Sequence, residues 1–437
     1  MNGGRKAVAI GAFGAAAACA VVYRQALRVT ARKSWPPPDD AVTPAAARVA
    51  SETFRGRRPR DAALDFAWST AATIAPWAEG ANFFPRILAD VEAARSSVHI
   101  LMFGWREGHV GMRMADLLER KLVAGVDVRA LVDGMGSRPY REAREMYRRL
   151  ASAGAEIVVN DMLPFDRDGI FPRSRRLAWP RHEGGRVDHR KLFVVDGELA
   201  WIGGAGLEDH FESGGFHDVM VRVTGDVVRQ AQAAFLTSFR AHGGELPDDL
   251  ARYFPEPADP GSTPIALAQV IPGGFVAASH AIAEQIDSAR ERLDVMNPYL
   301  TDRDMVQRIL AAAHRGVKVR VVVSEISNNA GATAALRYRY AELRAAGVEV
   351  WELPRTVVHA KVIVADDVVS FGTVNLDAWA LYRNWEVMML ARSHDAAALM
   401  EERLFEPDIA RAKRGEPARE TRERLEGWLW DKLTFFL

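Results

Sequence analysis

Two periods alternate along most of this chain. From about residue 80, stretches with apolar residues three and four apart give way to short β-branched and apolar runs. Phe83 to Arg95 has helical spacing, and Val98 to Phe103 reads as a strand. Met112 to Ala124 predicts a helix stopped by Gly125, followed by a strand over Val126 to Val132. Arg141 to Ala153 predicts a second helix stopped by Gly154, followed by a strand over Ala155 to Val159. The same order returns later. Ala281 to Arg292 and Met305 to Arg315 are helical, with strands over Leu293 to Met296 and Val317 to Val323. Ala334 to Ala346 is a helix stopped by Gly347, and Val348 to Trp351 a strand. Gly125 and Gly316 lie 191 residues apart, and Gly154 and Gly347 lie 193 apart. Alternating strands and helices with short connections predict two similar α/β units, each a mixed sheet covered by helices.

The stretches outside this alternation set the domain plan. Residues 7 to 22 are uncharged and apolar behind Arg5 and Lys6, in a segment taken as residues 1–33. The run is rich in Ala and Gly and lies in length between a signal-peptide core and a membrane span. A retained anchor, a cleaved signal and an Ala-rich helix packed on the protein all remain open. Residues 34–79, with Pro36-Pro37-Pro38, read as a linker. The first α/β unit is expected over 80–245, a Pro/Gly-rich linker over 246–265 and the second unit over 266–437. The chain ends in an aromatic, amphipathic stretch, Leu425 to Leu437, fit either for a membrane interface or for a helix closing the core.

Composition narrows the function. Of 437 residues 49% are hydrophobic and 26% charged, which describes folded domains. Net charge is zero, against a protein built to coat nucleic acid. A single cysteine, Cys19, excludes an intramolecular disulfide.

One pattern carries chemistry, and it occurs twice. His189-Arg-Lys191 leads into a buried-looking run ending at Asp196, and His359-Ala-Lys361 into one ending at Asp366. Both read His-x-Lys-x-x-x-x-Asp. Only 8 of the 57 basic residues are Lys, so one such motif is expected by chance on the order of a hundredth of a time per chain. Residues i and i+2 of a strand share a face, about 7 Å apart. Each motif therefore offers an imidazole and a fixed positive charge to one small volume. Two such pairs together suit a tetrahedral anion such as a phosphodiester. The two histidines are 170 residues apart, so the first unit carries an extra segment before its motif. That segment, residues 161 to 188, interleaves Arg with Phe and Trp and suggests contact with anionic head groups, a solvated basic loop or a nucleic-acid contact being the alternatives.

With these motifs the chain resembles the phospholipase D superfamily, and within it bacterial cardiolipin synthases, over residues 80 to 437. Further matches are Phe103-Gly-Trp105, Val132-Asp-Gly-Met-Gly-Ser137, His217-Asp218, Phe371-Gly-Thr-Val-Asn375-Leu-Asp377 and Asn384-Trp-Glu386. Two departures stand out. Gly204 and Gly206 lie where the family usually has Ser or Gly and then Asn, so no amide binds phosphate there. Five residues separate Asp366 from Gly372 where six is usual, which implies a tighter hairpin. The resemblance implies two phospholipase D-like units packed as a pseudo-two-fold pair, the active site between them, in a chain monomeric as an internal pseudo-dimer. It implies His189 as nucleophile, His359 as acid and base, and Lys191 and Lys361 on the non-bridging oxygens. Asn375 and Thr373 would add hydrogen bonds to phosphate. Asp218 and Glu386 would fix the outer nitrogens of the two rings. Asp196 and Asp366 complete the catalytic motifs, although a role bracing the strand ends suits them better. No cofactor is expected, and no His, Cys or Asp cluster with metal spacing is evident. The implied reaction is phosphatidyl transfer from phosphatidylglycerol to an alcohol at a bacterial membrane. Hydrolysis to phosphatidic acid and a phosphodiesterase-type nuclease are the alternatives.

Overall fold

The computed structural model describes residues 67–139, 143–160, 187–272, 276–418 and 420–433. The apolar N-terminal run and nearly all of the Arg- and aromatic-rich segment at 161 to 188 lie outside these residues. Among the described residues no helix is long and apolar enough to cross a membrane.

The strands are β1 (Ser69–Ala71), β2 (Thr73–Ala78), β3 (Ser97–Met102), β4 (Asp127–Asp133), β5 (Glu156–Asn160), β6 (Lys191–Val195), β7 (Leu199–Gly203), β8 (Phe216–His217) and β9 (Val219–Thr224), then β10 (Thr263–Val270), β11 (Arg292–Met296), β12 (Lys318–Ser324), β13 (Glu349–Leu353), β14 (Val357–Val358), β15 (Val362–Ala365), β16 (Val368–Gly372), β17 (Glu386–Arg392) and β18 (Lys413–Arg414). One sheet runs β2-β9-β7-β6-β3-β4-β5. The other runs β10-β17-β16-β15-β11-β12-β13, with β1 and β18 added at its edges. The order is the same in both, and so is the sense of every pairing. The β3-β4-β5 and β11-β12-β13 ladders are parallel and the rest antiparallel. The repeat read from the glycine spacing is thus a repeat of topology.

The two sheets face each other across a common core. Leu192, Val194 and Ile202 of the first meet Val362, Val364 and Phe371 of the second in one apolar cluster. The opposite faces are covered by helices. Gly80–Ala93 and His109–Val123 pack on the first sheet, and Ala277–Ser288 and Arg303–His314 on the second. The central strands are therefore apolar on both faces, as β6 shows with five consecutive buried residues.

Several expectations shift. Residues 69–78, expected within a linker, form β1 and β2, one at the edge of each sheet. The run is short and weakly alternating, and Pro76 is tolerated because β2 is an edge strand. β10 begins at Thr263, inside the expected second linker. The tighter hairpin is present: Ala365 pairs with Val368, whereas Val195 pairs with Leu199 across one residue more. The described part of the C-terminal aromatic stretch lies in the helix Thr421–Lys432, which packs on Ala330–Ala345 and ties its buried Asp431 to Arg339; residues 434–437 lie outside the described residues. The helix closes the second unit, leaving Leu425 and Trp428 exposed.

Candidate active site

Each His-Lys motif enters its own sheet but is stitched to the opposite unit. The His189 amide donates to the Trp385 carbonyl at 3.0 Å, and the Trp385 amide to the Val187 carbonyl at 2.9 Å. The His359 amide donates to the His217 carbonyl at 2.7 Å, and β14 just before it pairs with β8. Trp385 precedes Glu386 and His217 precedes Asp218, so each histidine is docked beside the other unit's carboxylate. The carboxylate oxygens of Glu386 lie 3.0 and 3.1 Å from His189 Nδ1. Asp218 Oδ2 lies 2.7 Å from His359 Nδ1. With both Nδ1 atoms engaged, the Nε2 atoms are left for chemistry. The two ring centroids are 6.4 Å apart, room for one phosphorus with an attacking nitrogen on one side and a leaving oxygen on the other. Each side chain keeps about a tenth of its surface open, 11% for His189 and 10% for His359.

Lys191 and Lys361 are buried beside the rings, and each ammonium donates to the carbonyl of the histidine two residues back. Lys191 Nζ also lies 4.8 Å over the Phe103 ring, which packs edge-on to His189 at 4.9 Å. Burial lowers Lys191 to about 8 and Lys361 to about 7, while Glu386 and Asp218 pull the other way. Burial, reinforced by the two lysines, holds both imidazoles well below 6.5. Burial also raises Glu386, to about 8, and Asp218; Lys191 and Lys361 respectively oppose this. Burial thus disfavours the charged form of the lysines, the imidazoles and the carboxylates alike. An anion between the lysines restores their positive form and raises both imidazoles.

Thr373 departs from its expected place on phosphate. Its hydroxyl lies 2.5 Å from Glu386 Oε2 and accepts from the Val387 amide at 3.0 Å. It is fully buried, holding the carboxylate that holds His189. Asn375 is nearly buried, and its Oδ1, an acceptor, has no hydrogen-bond partner among the described residues. Asp196 and Asp366 do not reach the site. Each lies beyond the far end of its strand, ~17 Å along the chain from its lysine. Asp196 accepts from the amides of Arg95, Ser96 and Ser97, and Asp366 from those of Arg290, Glu291 and Arg292. Both are left-handed, at φ 54°. They are braces, joining each hairpin to the loop before β3 or β11.

Gly204 packs against both Asp218 of its own unit and the His359 backbone of the other. A Cβ there would lie 2.6 Å from both Asp218 oxygens and 2.8 Å from the His359 carbonyl. The missing side chain is what lets Asp218 reach His359. Sequence reasoning passed over other supports. Asp188 and Arg190 form a buried ion pair at 2.6 Å beside His189. Buried Asp133 accepts from the Asp188 amide at 2.9 Å and caps the turn Gly134–Ser137. Arg190 flanks the motif histidine, which was the available signal for it.

Residues 282–407 match the family model described as cardiolipin synthase, PLD-like domain. That stretch is a phospholipase D-like domain. The chain is 28% identical over 360 residues to a probable cardiolipin synthase from Bacillus subtilis, covering 80% of this chain and 68% of that one. It is 27% identical over 318 residues to a cardiolipin synthase from Listeria monocytogenes, covering 71% and 63%. The chain thus spans about two thirds of the length of these relatives. Among solved structures, a phosphatidylserine synthase from Haemophilus influenzae superposes with a TM-score of 0.62 at 14% identity, over 90% of this chain and 100% of that one. That likeness concerns the fold.

Proposed function

We propose that this chain is a phosphatidyltransferase of the cardiolipin synthase type, exchanging the alcohol of a phospholipid through a phosphohistidine. The observation that carries the reading is the pair of crossed His–carboxylate dyads, His189–Glu386 and His359–Asp218, facing each other at 6.4 Å with a buried lysine beside each. The donor is phosphatidylglycerol, and a second phosphatidylglycerol is the acceptor, as the names of the relatives suggest. The chain would then work at the surface of a bacterial membrane.

The lysines and the Asn375 amide hold the non-bridging oxygens. Nε2 of His189 attacks phosphorus, the N–P bond forms and the P–O bond to glycerol breaks. His359, protonated once the anion is bound, gives its Nε2 proton to the leaving oxygen. The acceptor hydroxyl then attacks phosphorus, its proton passes to His359, and the N–P electron pair returns to His189. Lys191 and Lys361 stabilise the charge of each transition state. Since each dyad draws on both units, neither unit is expected to turn over alone.

The test is purified chain with radiolabelled phosphatidylglycerol, resolving cardiolipin from phosphatidic acid. Cardiolipin supports transfer, and phosphatidic acid alone supports hydrolysis. Full turnover by both His189→Ala and His359→Ala would overturn the mechanism.

A further inference from the structure

The two sides of the site are built on one plan but filled differently. In the second unit Leu300 bridges Leu376, as Trp105 bridges Leu207 in the first. This register sets Tyr299, Asn375 and Asp377 against Gly104, Gly206 and Glu208. Tyr299 bonds Asn328 at 2.5 Å. Asp377 caps its own helix, accepting from the Trp379 and Ala380 amides. Glu208 stands at the matching cap position but makes no capping bond. One methylene longer, its carboxylate fills the space that the two glycines vacate. A Cβ on Gly104 would lie 2.3 Å from Glu208 Oε2, and one on Gly206 2.9 Å from the same atom.

Glu208 is also placed for use. Its Oε1 lies 3.1 Å from Arg106 Nε, and 12% of its side chain is open. Arg106 Nε also donates to the Gly136 carbonyl at 2.9 Å, while its terminal amino groups have no partner among the described residues. Gly104 follows Phe103, which forms the wall against His189 and Lys191. The first unit thus presents to the gap a carboxylate paired with an arginine, where the second unit presents an amide. A carboxylate there repels phosphate. It accepts hydrogen bonds from hydroxyl groups, two from a vicinal diol.

We propose that Glu208, oriented by Arg106, binds the hydroxyl groups of the acceptor, so that this side of the site selects a polyol head group over water or a monohydric alcohol. The inference rests on the transferase reading and names its acceptor subsite. The polyol hydroxyl that attacks phosphorus loses its proton to His359, while a neighbouring hydroxyl donates to Glu208.

The experiment compares wild type with Glu208→Gln, using short-chain phosphatidylglycerol as donor and glycerol or 1-propanol as acceptor. The substitution is expected to raise KM for glycerol on the order of ten- to a hundredfold, to leave that for 1-propanol within about twofold, and to slow formation of the phosphohistidine far less. Equal effects on the two alcohols, or an effect confined to phosphohistidine formation, would overturn the inference. A wild type that forms no phosphohistidine counts against the transferase reading instead. The subsite is then read without turnover, by ligand-observed NMR of glycerophosphoglycerol on His189→Ala. Binding lost in His189→Ala/Glu208→Gln supports the subsite, and undiminished binding overturns it.

Discussion

Removing His359 separates the two halves of the reaction. Its Nδ1 is tied to Asp218 at 2.7 Å, so in the proposed mechanism Nε2 is the atom that exchanges protons with the leaving and attacking oxygens. A positioned acid or base contributes roughly 10²- to 10⁴-fold. His359→Ala is therefore expected to slow both half-reactions of a lipid substrate by about that factor. A p-nitrophenyl phosphodiester changes the balance, because p-nitrophenolate departs without a proton. The first step is then spared and the second still loses roughly 10²-fold or more. If the two steps are comparable in the wild type, at least ~99% of the variant accumulates as the covalent intermediate. The assay is a burst of p-nitrophenolate approaching one per chain, with acid-labile phosphate mapped to His189 by peptide mass spectrometry. A thermal melt close to wild type confirms that the variant is folded. A burst in His189→Ala instead of His359→Ala would reverse the roles, and no burst in either would refute covalent catalysis by these histidines.

Other consequences follow from the same geometry. Lys361 is lowered to about 7 and Lys191 to about 8 by burial, so each loses its charge as pH rises through those values. kcat/KM for the donor should fall on the alkaline side from about pH 7. The corresponding limb of kcat should lie higher, since bound phosphate restores the lysines; coincident limbs would count against them as the phosphate grip. Gly204→Ala places a methyl 2.6 Å from the Asp218 oxygens. It is expected to displace the carboxylate from His359 and to lower kcat at least ~10²-fold. His217 bridges the units between Glu79 at 2.8 Å and Asp408 at 2.6 Å. Burial opposes its charge, but these carboxylates raise it from 6.5 to about 9. Its folded value is the higher one, so its contribution, at most about 3 kcal/mol, is complete below pH 6.5 and fades as pH rises through 9. A melting curve whose excess over His217→Asn does not shrink between pH 6.5 and 10 would refute this coupling.

Much of the fold was legible along the chain. Helices stopped by Gly125, Gly154, Gly316 and Gly347, each at positive φ, announced their own ends because only glycine adopts that conformation freely. The apolar runs at β3, β4, β11 and β12 announced buried strands because both faces of those sheets are covered. β1 and β2 were not legible. Edge strands take their stability from a partner far along the chain, and Ser69 pairs with Ile265.

The site divides in the same way. The residue types, two imidazoles each two positions from a lysine, were set by the sequence alone, and with them the proposed fit to a phosphodiester. Which carboxylate serves which ring was decided in three dimensions, because each motif is docked on the opposite unit. Tertiary packing also took Thr373 from the phosphate to Glu386, left Asp196 and Asp366 at the far strand ends, and brought Glu208 over Gly104 and Gly206. Spacing along a strand fixes what lies two residues away. It carries no information about what the other half of the chain places across a gap of a few ångströms.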